Sequence, residues 1–331
     1  MRLFGKRILI FLLPPLIIIF SLDTFLRVQN DMYKEKYYGA IENKDSIEVI
    51  ILGNSHATYA VDPTAFDLYA YNLAYVNQSI YFDKRITLSL MNKLEKLRYV
   101  LISVDFHSFS FSSQGIRDVW SYYGNGIKYK DRNYLLENLS PSLFGYTPKV
   151  ALSLLKKRII KAIKYRNETV ITCDVEKGIN LKDTIKKGFV SFEVSKESAF
   201  TEKELKKKAD GYNGMVKKYK KIRQEVINDL EDFIQILIDN NITPVLFTAP
   251  VYKGYYSFLD TTALRENKKI LMDLCRKYDI KYWDFSNLNI MTQDDFYNCD
   301  HLNKKGAHKF SVLLSDSILD INNKVVEIRE N

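Results

Sequence analysis

The sequence predicts an α/β protein built on a parallel β-sheet that is covered by helices. Short apolar runs, typical of strands buried on both faces, begin at Ile47, Ala70, Tyr99, Ile242 and Ile280. Several of these runs alternate with stretches whose apolar residues recur every three or four positions, as on one face of a helix. This alternation favours right-handed crossover connections between parallel strands.

The chain length and charge narrow the class of protein. With 331 residues the chain can form one large α/β domain with an insertion, or two small domains. A net charge of +9 suggests an anionic partner, such as membrane headgroups or an acidic polymer. No zinc-finger spacing, Walker loop or RNA-binding signature is present, so we expect no nucleic-acid partner.

The cysteines give no support for a disulfide framework. There are three, widely spaced, so at most one bridge is possible. Because no Cys-x-x-Cys pair occurs, a structural metal site has no support either. We therefore expect neither a metal nor another cofactor.

The N-terminal residues 1–27 are predicted to be a membrane anchor. A basic flank precedes an uncharged apolar run from Ile8 to Leu22, and the whole segment approaches the ~20 residues that cross a bilayer. No small-x-small cleavage site follows, which favours an uncleaved helix with its basic flank in the cytoplasm; a buried helix of a soluble protein is the alternative. Residues 28–46 are expected to form a polar stalk. The remaining chain would then lie outside the cytoplasmic membrane, on a single-pass protein.

The first half of the main domain is predicted to run strand, turn, strand, helix, strand. Gly53 ends the first strand and suits a sharp turn, so Ser55 and His56 lie just past its carboxyl end, where α/β proteins bind ligands. The predicted elements are the strand Ile47–Leu52, a short helix from Asp62-Pro63 through Leu68, the strand Ala70–Ala74, the helix Asp83–Leu97 and the strand Tyr99–Val104.

An insertion is predicted at about residues 108–201, where the alternation is lost. We expect it to cap the carboxyl edge of the sheet, with a helix at Pro148–Tyr165. Its aromatic residues could stack on sugars or could fill a small core of the cap itself; they are Trp120, Tyr122, Tyr123 and Tyr146. The lysine-rich stretch from Glu202 to Arg223 is either a solvated helix face or a basic surface that binds an anionic glycan or lipid headgroup.

The second half resumes the alternation of helices and strands, which predicts that both halves share one sheet. The domain would span residues 47–322 and leave a tail at 323–331. The predicted elements are a helix carrying Ile222 to Leu237, a strand within Ile242–Pro250, the helix Thr262–Tyr278, the strand Ile280–Phe285, and a last helix capped by Asn303 with a stripe through Ile318.

Three blocks resemble the SGNH (GDSL-like) hydrolase superfamily. They are Gly53-Asn54-Ser55, then Asn72-Leu73-Ala74, then Asp300-His301-Leu302-Asn303 with Gly306-Ala307. Within that superfamily the chain is most similar to extracytoplasmic members, which include proteins of D-alanyl transfer to teichoic acids and of exopolysaccharide O-acetylation. The resemblance covers about residues 47–105 and 240–320. It implies a three-layer α/β/α sandwich of the flavodoxin-like type.

The resemblance also implies that Ser55 is the nucleophile and His301 its general base. A serine hydroxyl is a poor nucleophile near neutral pH, and a hydrogen-bonded imidazole can take its proton during attack. The oxyanion would be held by the Ser55 N–H, with the Ala74 N–H in the place of the family's second-block glycine.

Two positions depart from the family's pattern. Asn298 stands where the family has the aspartate that orients the histidine; an amide can still accept a hydrogen bond from the imidazole, and Asp300, Asp295 or the backbone could substitute for the missing charge. Asp105 stands near the family's third oxyanion donor, where a carboxylate aimed at the oxyanion would repel it.

Other polar residues could complete the site. Asn77 or Gln78 could supply the missing oxyanion donor. His56 is expected either to bond locally or to contact the substrate or leaving group, and His107 lies at the same sheet edge.

Together these features predict a membrane-anchored, extracytoplasmic serine acyltransferase or esterase acting on a cell-envelope polysaccharide. As a transferase it would take its acyl group from a donor beside a membrane-bound O-acyltransferase. The alternatives are a plain carbohydrate esterase and a non-catalytic scaffold that keeps the fold to bind glycan or an assembly partner.

Overall fold

The computed structural model describes residues 2–28, 32–111, 185–192 and 199–330, together with positions 122, 127, 156 and 159. The chain divides into two compact units, one formed by residues 1–34 and 114–182 and the other by residues 35–113 and 183–331. The sheet and the candidate site both lie in the second unit.

Five parallel strands form the central sheet, in the order β2-β1-β3-β4-β5. The strands are β1 (Val49–Leu52), β2 (Ala70–Asn72), β3 (Tyr99–Ser103), β4 (Thr243–Thr248) and β5 (Lys281–Asp284). The prediction of a parallel α/β sheet shared by both halves of the chain is therefore confirmed. This strand order is that of flavodoxin-like folds, whose ligands bind where the order reverses, outside the carboxyl ends of β1 and β3.

Nine α-helices are found among the described residues. They are α1 (Arg2–Val28), α2 (Met32–Glu42), α3 (Ser55–Ala60), α4 (Ile80–Leu90), α5 (Glu202–Lys218), α6 (Arg223–Asp239), α7 (Lys253–Tyr256), α8 (Thr261–Tyr278) and α9 (Lys304–Glu330). The short helix expected after Asp62 is a 3₁₀ turn, Pro63–Ala65. The last helix continues through the residues expected to be a tail.

Both faces of the sheet are covered, because every side chain of β1 and β3 is buried. On one face Ile51 and Leu101 join a cluster with Phe310 and Leu314 of α9. Helix α6 contacts β4 and α4, and its apolar stripe, which includes Phe233, is buried. The periodicity predicted for these helices thus marks the faces that pack.

The register of the sheet places the two loops of the candidate site next to each other. Leu52, the last residue of β1, pairs with Ile102 of β3. The chain therefore leaves these neighbouring strands side by side, towards Ser55 in one case and Asp105 in the other.

The segment expected to be a stalk contains helix α2, which packs on the domain. Lys36 is buried and its Nζ donates a hydrogen bond to the Ala74 carbonyl at 2.5 Å. The Tyr37 hydroxyl donates to Ser89 Oγ at 3.1 Å. The polar composition that suggested an exposed stalk instead supplies these contacts.

The N-terminal segment 2–28 is helical, as expected for α1. Within the described part of the chain, no helix combines the length and the apolar character needed to cross a bilayer. Most of the insertion expected at 108–201 lies outside the described residues, including the helix predicted at Pro148–Tyr165 and the residues Trp120, Tyr123 and Tyr146. Tyr122 is described and is fully buried.

Candidate active site

A tight turn between β1 and α3 presents Ser55. Gly53 has a φ of 131°, and a Cβ at this position would lie 2.6 Å from the Ser103 Cβ, so glycine is needed on both counts. The Gly53 N–H donates to Asp83 Oδ1 at 3.0 Å, and the Asn54 side chain accepts from the His56 N–H at 2.9 Å as the N-cap of α3. These bonds place Ser55 as the first residue of the helix, at the carboxyl edge of the sheet.

A short antiparallel hairpin presents His301. It consists of β6 (Phe296–Asn298) and β7 (His301–Leu302). The Asn298 side-chain oxygen accepts the N–H groups of Asp300 and His301 at 3.1 and 2.9 Å, which closes the loop. The result is that His301 Nε2 lies 2.9 Å from Ser55 Oγ, although the two residues are 246 positions apart.

The other ring nitrogen of His301 has two acceptors. Nδ1 lies 3.1 Å from the Asn298 side-chain oxygen and 3.2 Å from Asp300 Oδ1. Because both neighbours are acceptors, the ring proton belongs on Nδ1, which leaves Nε2 free to accept from the serine hydroxyl. Asn298 can thus accept a hydrogen bond from the ring, and Asp300 places a negative charge beside it.

The surroundings of His301 favour its neutral form. Burial lowers the pKa of His301, and the positive charges of His56 and Lys208 lower it further, while Asp300 partly offsets them. A neutral imidazole hydrogen-bonded to a hydroxyl can accept its proton during nucleophilic attack.

Asp300 is the centre of a buried hydrogen-bond and charge network. Its Oδ2 accepts from the Tyr212 hydroxyl at 3.2 Å and faces Lys208 Nζ at 3.0 Å and His56 Nε2 at 3.7 Å. Burial alone would raise the pKa of Asp300, but His301 and His56 together hold it well below the usual range. Asp300 is therefore ionised at neutral pH.

His56 lies between two carboxylates. Its Nδ1 is 3.3 Å from Asp105 Oδ1 and its Nε2 is 3.7 Å from Asp300 Oδ2. Burial alone would lower the pKa of His56, but Asp105 and Asp300 outweigh burial and raise it to about 10. The same pairing holds the pKa of Asp105 below its ordinary value, against the effect of burial. The Asp105 carboxylate, which would repel an oxyanion if it pointed at one, thus faces the His56 ring instead.

His107 supports the serine turn. Its Nε2 lies 3.3 Å from the Asn54 side-chain nitrogen, and its ring stacks on Tyr212 with centroids 4.5 Å apart. Burial, aided by repulsion from His56, lowers the pKa of His107 to about 3, so it is neutral and can accept from Asn54. His56 and His107 are both buried, and each bonds or packs within the protein, as in the first of the two alternatives given for His56.

The oxyanion donors need a second correction. The Ala74 N–H already donates to Asn72 Oδ1 at 3.0 Å. The Gln78 amide donates to the Leu73 carbonyl and to Asp83 Oδ1 at 3.2 and 2.7 Å, so its donors are also engaged. Asn77 is exposed, in a left-handed turn with φ 58°. For the Ser55 N–H, no hydrogen bond to another described residue is found, so this donor is available to a ligand.

Sequence reasoning missed four residues that support the site: Asn54, Asp83, Lys208 and Tyr212. Lys208 and Tyr212 lie in the lysine-rich stretch, for which the two predictions were a solvated helix face and a surface that binds an anionic glycan or lipid headgroup. Their spacing of four positions places them on one side of a helix, and this was the available signal. Asp295, considered as a partner for His301, instead accepts hydrogen bonds from Thr292 in its own loop and from Lys309 of α9.

Three side chains of the site could in principle hold a metal ion. Ligand-type atoms of His56, Asp300 and His301 lie within 4.8 Å of one another. A metal needs neutral imidazole ligands, whereas the two carboxylates favour protonated His56. We assign no metal to the group for that reason.

A row of aromatic rings leads from His301 to the surface. Tyr59 meets the His301 ring edge-on at 5.4 Å, Phe192 lies 4.2 Å from Tyr59, and Tyr297 stacks on Phe192 at 3.9 Å with an interplanar angle of 7°. Tyr297 is 39% exposed. This aromatic row, Tyr59–Phe192–Tyr297, offers an apolar platform beside the Ser55–His301 pair.

A cavity of about 150 Å³ adjoins the buried charges. The polar part of its lining includes His56, Asp105 and the exposed Arg265. The side chains of Tyr255 and Leu259 form part of its apolar lining. The cavity thus gives small molecules a route towards the His56–Asp105 pair.

Comparisons with known proteins do not place the chain in a family. No protein-family model matches it, and no curated protein matches it. Five chains of solved structures match, among them the crystal structure of a candidate acylhydrolase from Bacteroides fragilis. That protein is 10% identical, with a TM-score of 0.41, over 87% of this chain and 96% of its own. A likeness at this level assigns neither a fold family nor an activity.

Proposed function

We propose that the protein is a serine acyl-ester hydrolase or acyltransferase with Ser55 as nucleophile and His301 as general base. The observation that carries the proposal is the 2.9 Å contact between Ser55 Oγ and His301 Nε2. The opposite ring nitrogen lies beside an amide oxygen and a carboxylate, two acceptors that favour the ring orientation and the tautomer that the reaction needs.

The reaction would proceed in two halves. Ser55 Oγ attacks the ester carbonyl while His301 Nε2 takes the hydroxyl proton, and the oxyanion forms near the Ser55 N–H. The imidazolium, stabilised by Asp300, then protonates the departing alcohol and leaves an acyl-serine. Water or a second hydroxyl, deprotonated by His301, attacks that ester and restores the serine.

We propose a carbohydrate hydroxyl of a cell-envelope polysaccharide as the acylated or deacylated group. Two observations favour it. The aromatic row ends in the exposed ring of Tyr297, on which a sugar ring could stack. The net charge of +9 suits an anionic polymer. A transferase of this kind would take its acyl group beside a membrane-bound O-acyltransferase.

We also propose that α1 attaches the protein to a membrane, with the domain outside the cytoplasm. Helix α1 exposes several large apolar side chains, among them Phe11 and Phe20 at 79% and 70%. Fractionation of cells followed by a carbonate wash tests this. The full chain should stay with membranes, whereas an F11K/F20K variant should be released; a wild-type chain found wholly in the soluble fraction contradicts the proposal.

A fluorophosphonate probe tests the enzymatic proposal without knowledge of the substrate. The wild type should be labelled covalently, and mass spectrometry should find the adduct on Ser55. Ser55→Ala should abolish labelling, while Ser257→Ala, which removes an exposed hydroxyl elsewhere, should leave it unchanged. A folded wild-type protein that resists labelling contradicts the proposal.

The second candidate is a non-catalytic scaffold of the same fold. It is favoured by the oxyanion donors, since Ala74 and Gln78 are both engaged in internal hydrogen bonds. Absence of labelling together with retained binding to the polysaccharide, unchanged in Ser55→Ala, would support this function instead.

A further inference from the structure

We propose that His56 is a positioning residue whose fixed positive charge, held between Asp105 and Asp300, keeps Asp300 ionised and seated against His301. The inference rests on the proposed function of the Ser55–His301 pair. It assigns to His56 a part in the reaction that requires no contact with substrate.

The geometry gives His56 one carboxylate on each ring nitrogen. Nδ1 faces Asp105 at 3.3 Å, and Nε2 faces Asp300 at 3.7 Å. His56 is 4% exposed, and the two aspartates are 2% and 1% exposed. Two buried carboxylates close to one another are tolerated only when a cation offsets them, because removing a single charge from water is costly.

The two carboxylates differ in their other partners. Asp300 also forms an ion pair with Lys208, accepts a hydrogen bond from the Tyr212 hydroxyl and faces His301. The Asp105 carboxylate accepts a hydrogen bond from the Ser103 hydroxyl at 3.2 Å, and the Asp105 backbone N–H donates to the Ser108 hydroxyl. Neither serine carries a charge. His56 is therefore the cation in contact with Asp105 and the second cation on Asp300.

The titratable groups around His56 come from three elements. The β3 loop contributes Asp105 and His107, the β6–β7 hairpin contributes Asp300 and His301, and α5 contributes Lys208 and Tyr212. With His56 and Lys208 protonated, both aspartates ionised and both other histidines neutral, the site carries no net charge.

The consequence for catalysis is a defined protonation state of His301. The charge on His56 is one of the causes that keep the pKa of His301 low. Without it, the His301 proton would lose one of the positive charges that repel it, and His301 would hold that proton to higher pH. Less of the enzyme would then carry a neutral base.

The first test measures the pH dependence of fluorophosphonate labelling in H56Q, with H308Q as control. His308 is exposed on α9, so the control makes the same chemical change away from the site. H56Q should be labelled roughly 10-fold or more slowly at pH 7. The acid limb of its pH–rate profile, where the rate falls at low pH, should move to higher pH by about one unit. H308Q should match the wild type. An H56Q variant with a wild-type rate and acid limb overturns the proposal.

A second variant separates charge from packing. H56Q leaves Asp105 without a cation, whereas H56Q/D105N removes the carboxylate as well. The double variant should therefore be more thermally stable and label faster than H56Q. If the loss of labelling rate in H56Q/D105N instead equals the sum of the losses in H56Q and D105N, His56 acts through packing and the proposal fails.

The cavity beside His56 and Asp105 permits a rescue experiment with H56G. Imidazole, which can become a cation between the carboxylates, should restore labelling at least about 5-fold at millimolar concentration. Pyrazole has the same size and shape but is far less basic, and it should not restore labelling. Equal rescue by both compounds, or by neither, contradicts a role for charge.

The wild-type protein supplies a test that does not depend on how the variants fold. The chain has four histidines, so isotope labelling of histidine gives few NMR signals. One ring should remain an imidazolium at pH 8.5, and four neutral rings at that pH overturn the proposal. Failure of the wild type to react with fluorophosphonate would count against the proposed function, whereas a persistent imidazolium would still report the charge on His56.

Discussion

Lys208 Nζ lies 3.0 Å from Asp300 Oδ2, which joins helix α5 to the β6–β7 hairpin. The side chain of Asp300 is fully buried, whereas that of Lys208 is 40% exposed. A residue of a lysine-rich surface helix thus reaches the carboxylate that faces the His301 ring, and α5 becomes part of the site.

Lys208→Met should slow fluorophosphonate labelling about 3–10-fold at neutral pH and move the acid limb to higher pH, because removing a nearby cation raises the pKa of His301. Lys207→Met is the matched control, since its side chain is exposed one position away and should have no effect. Equal behaviour of the two variants would show that Lys208 does not act on the site. The measurement is the labelling rate between pH 5 and 9.

Asp300→Asn should reduce the labelling rate about 10–100-fold, because the imidazolium loses its stabilising charge while Asn298 still orients the ring. Asn298→Ala should also remove the bonds that close the hairpin, so it should lower thermal stability as well as rate. A wild-type labelling rate in Asp300→Asn would assign the orienting role to Asn298 alone.

Asp83→Asn should change how stability depends on pH. Burial raises the pKa of Asp83 to about 7, despite the hydrogen bonds from Gln78 and Gly53. The folded state therefore holds a proton that the unfolded state releases near pH 4, so Asp83 makes stability fall as pH rises from about 4 to about 7.

The asparagine keeps the acceptor oxygen used by Gly53 and Gln78 but does not titrate. Urea unfolding at pH 5 and pH 8 should show that the wild type loses about 2 kcal/mol more than Asp83→Asn across this interval. His56 and His107 titrate in both proteins, so the difference isolates Asp83. Parallel losses would indicate that Asp83 is already ionised at pH 5.

Tyr297→Ala should raise the KM for an O-acetylated oligosaccharide about 5–20-fold, because one stacking face beside the site is lost. Tyr297→Phe should retain the wild-type KM, and hydrolysis of a small aryl acetate should be unaffected by either change. Tyr219→Ala is the control, since Tyr219 is 40% exposed and lies at the end of α5. Equal KM values for all variants would remove the aromatic row from the substrate site.

Chelation should leave activity unchanged, because protonated His56 does not serve as a metal ligand. Labelling of Ser55 should proceed at the same rate with and without EDTA. A loss on EDTA treatment, restored by a divalent ion, would show that His56, Asp300 and His301 hold a metal.

Much of the fold could be predicted from the sequence because its signals are local. The five apolar runs and the helical stripes depend on residues within a few positions of one another. Each run corresponds to a strand, and the stripes ending at Leu237, Tyr278 and Ile318 lie on helices of the described part of the chain. The strand boundaries shifted by at most two residues, as for Ile47–Leu52 against Val49–Leu52, whereas the helix predicted at Asp83–Leu97 is found at Ile80–Leu90. The packed helix α2 was missed, since its lysine and tyrosine content resembles that of an exposed segment.

The candidate site was predicted only as far as residue types in short motifs allow. The Ser55 turn and the His301 loop each have a local pattern, and the parallel sheet predicts that such loops meet at one edge. Ala74 and Gln78 were considered as oxyanion donors, but both donate to near neighbours in the chain: the Ala74 N–H to Asn72, and the Gln78 amide to Leu73 and Asp83. A motif of residue types does not specify the backbone and side-chain conformations that decide such bonds.

The sequence by itself determined the parallel α/β architecture, the order of its elements and the two loops that carry Ser55 and His301, because periodicity and turn chemistry are written in neighbouring residues. Only the tertiary structure decided which groups surround that pair. Asp105 turns towards His56, and Lys208 reaches Asp300 from another helix. The charge of a buried group depends on its burial and on its distance from other charges. Both are set only when remote segments pack together, so no local pattern could reveal them.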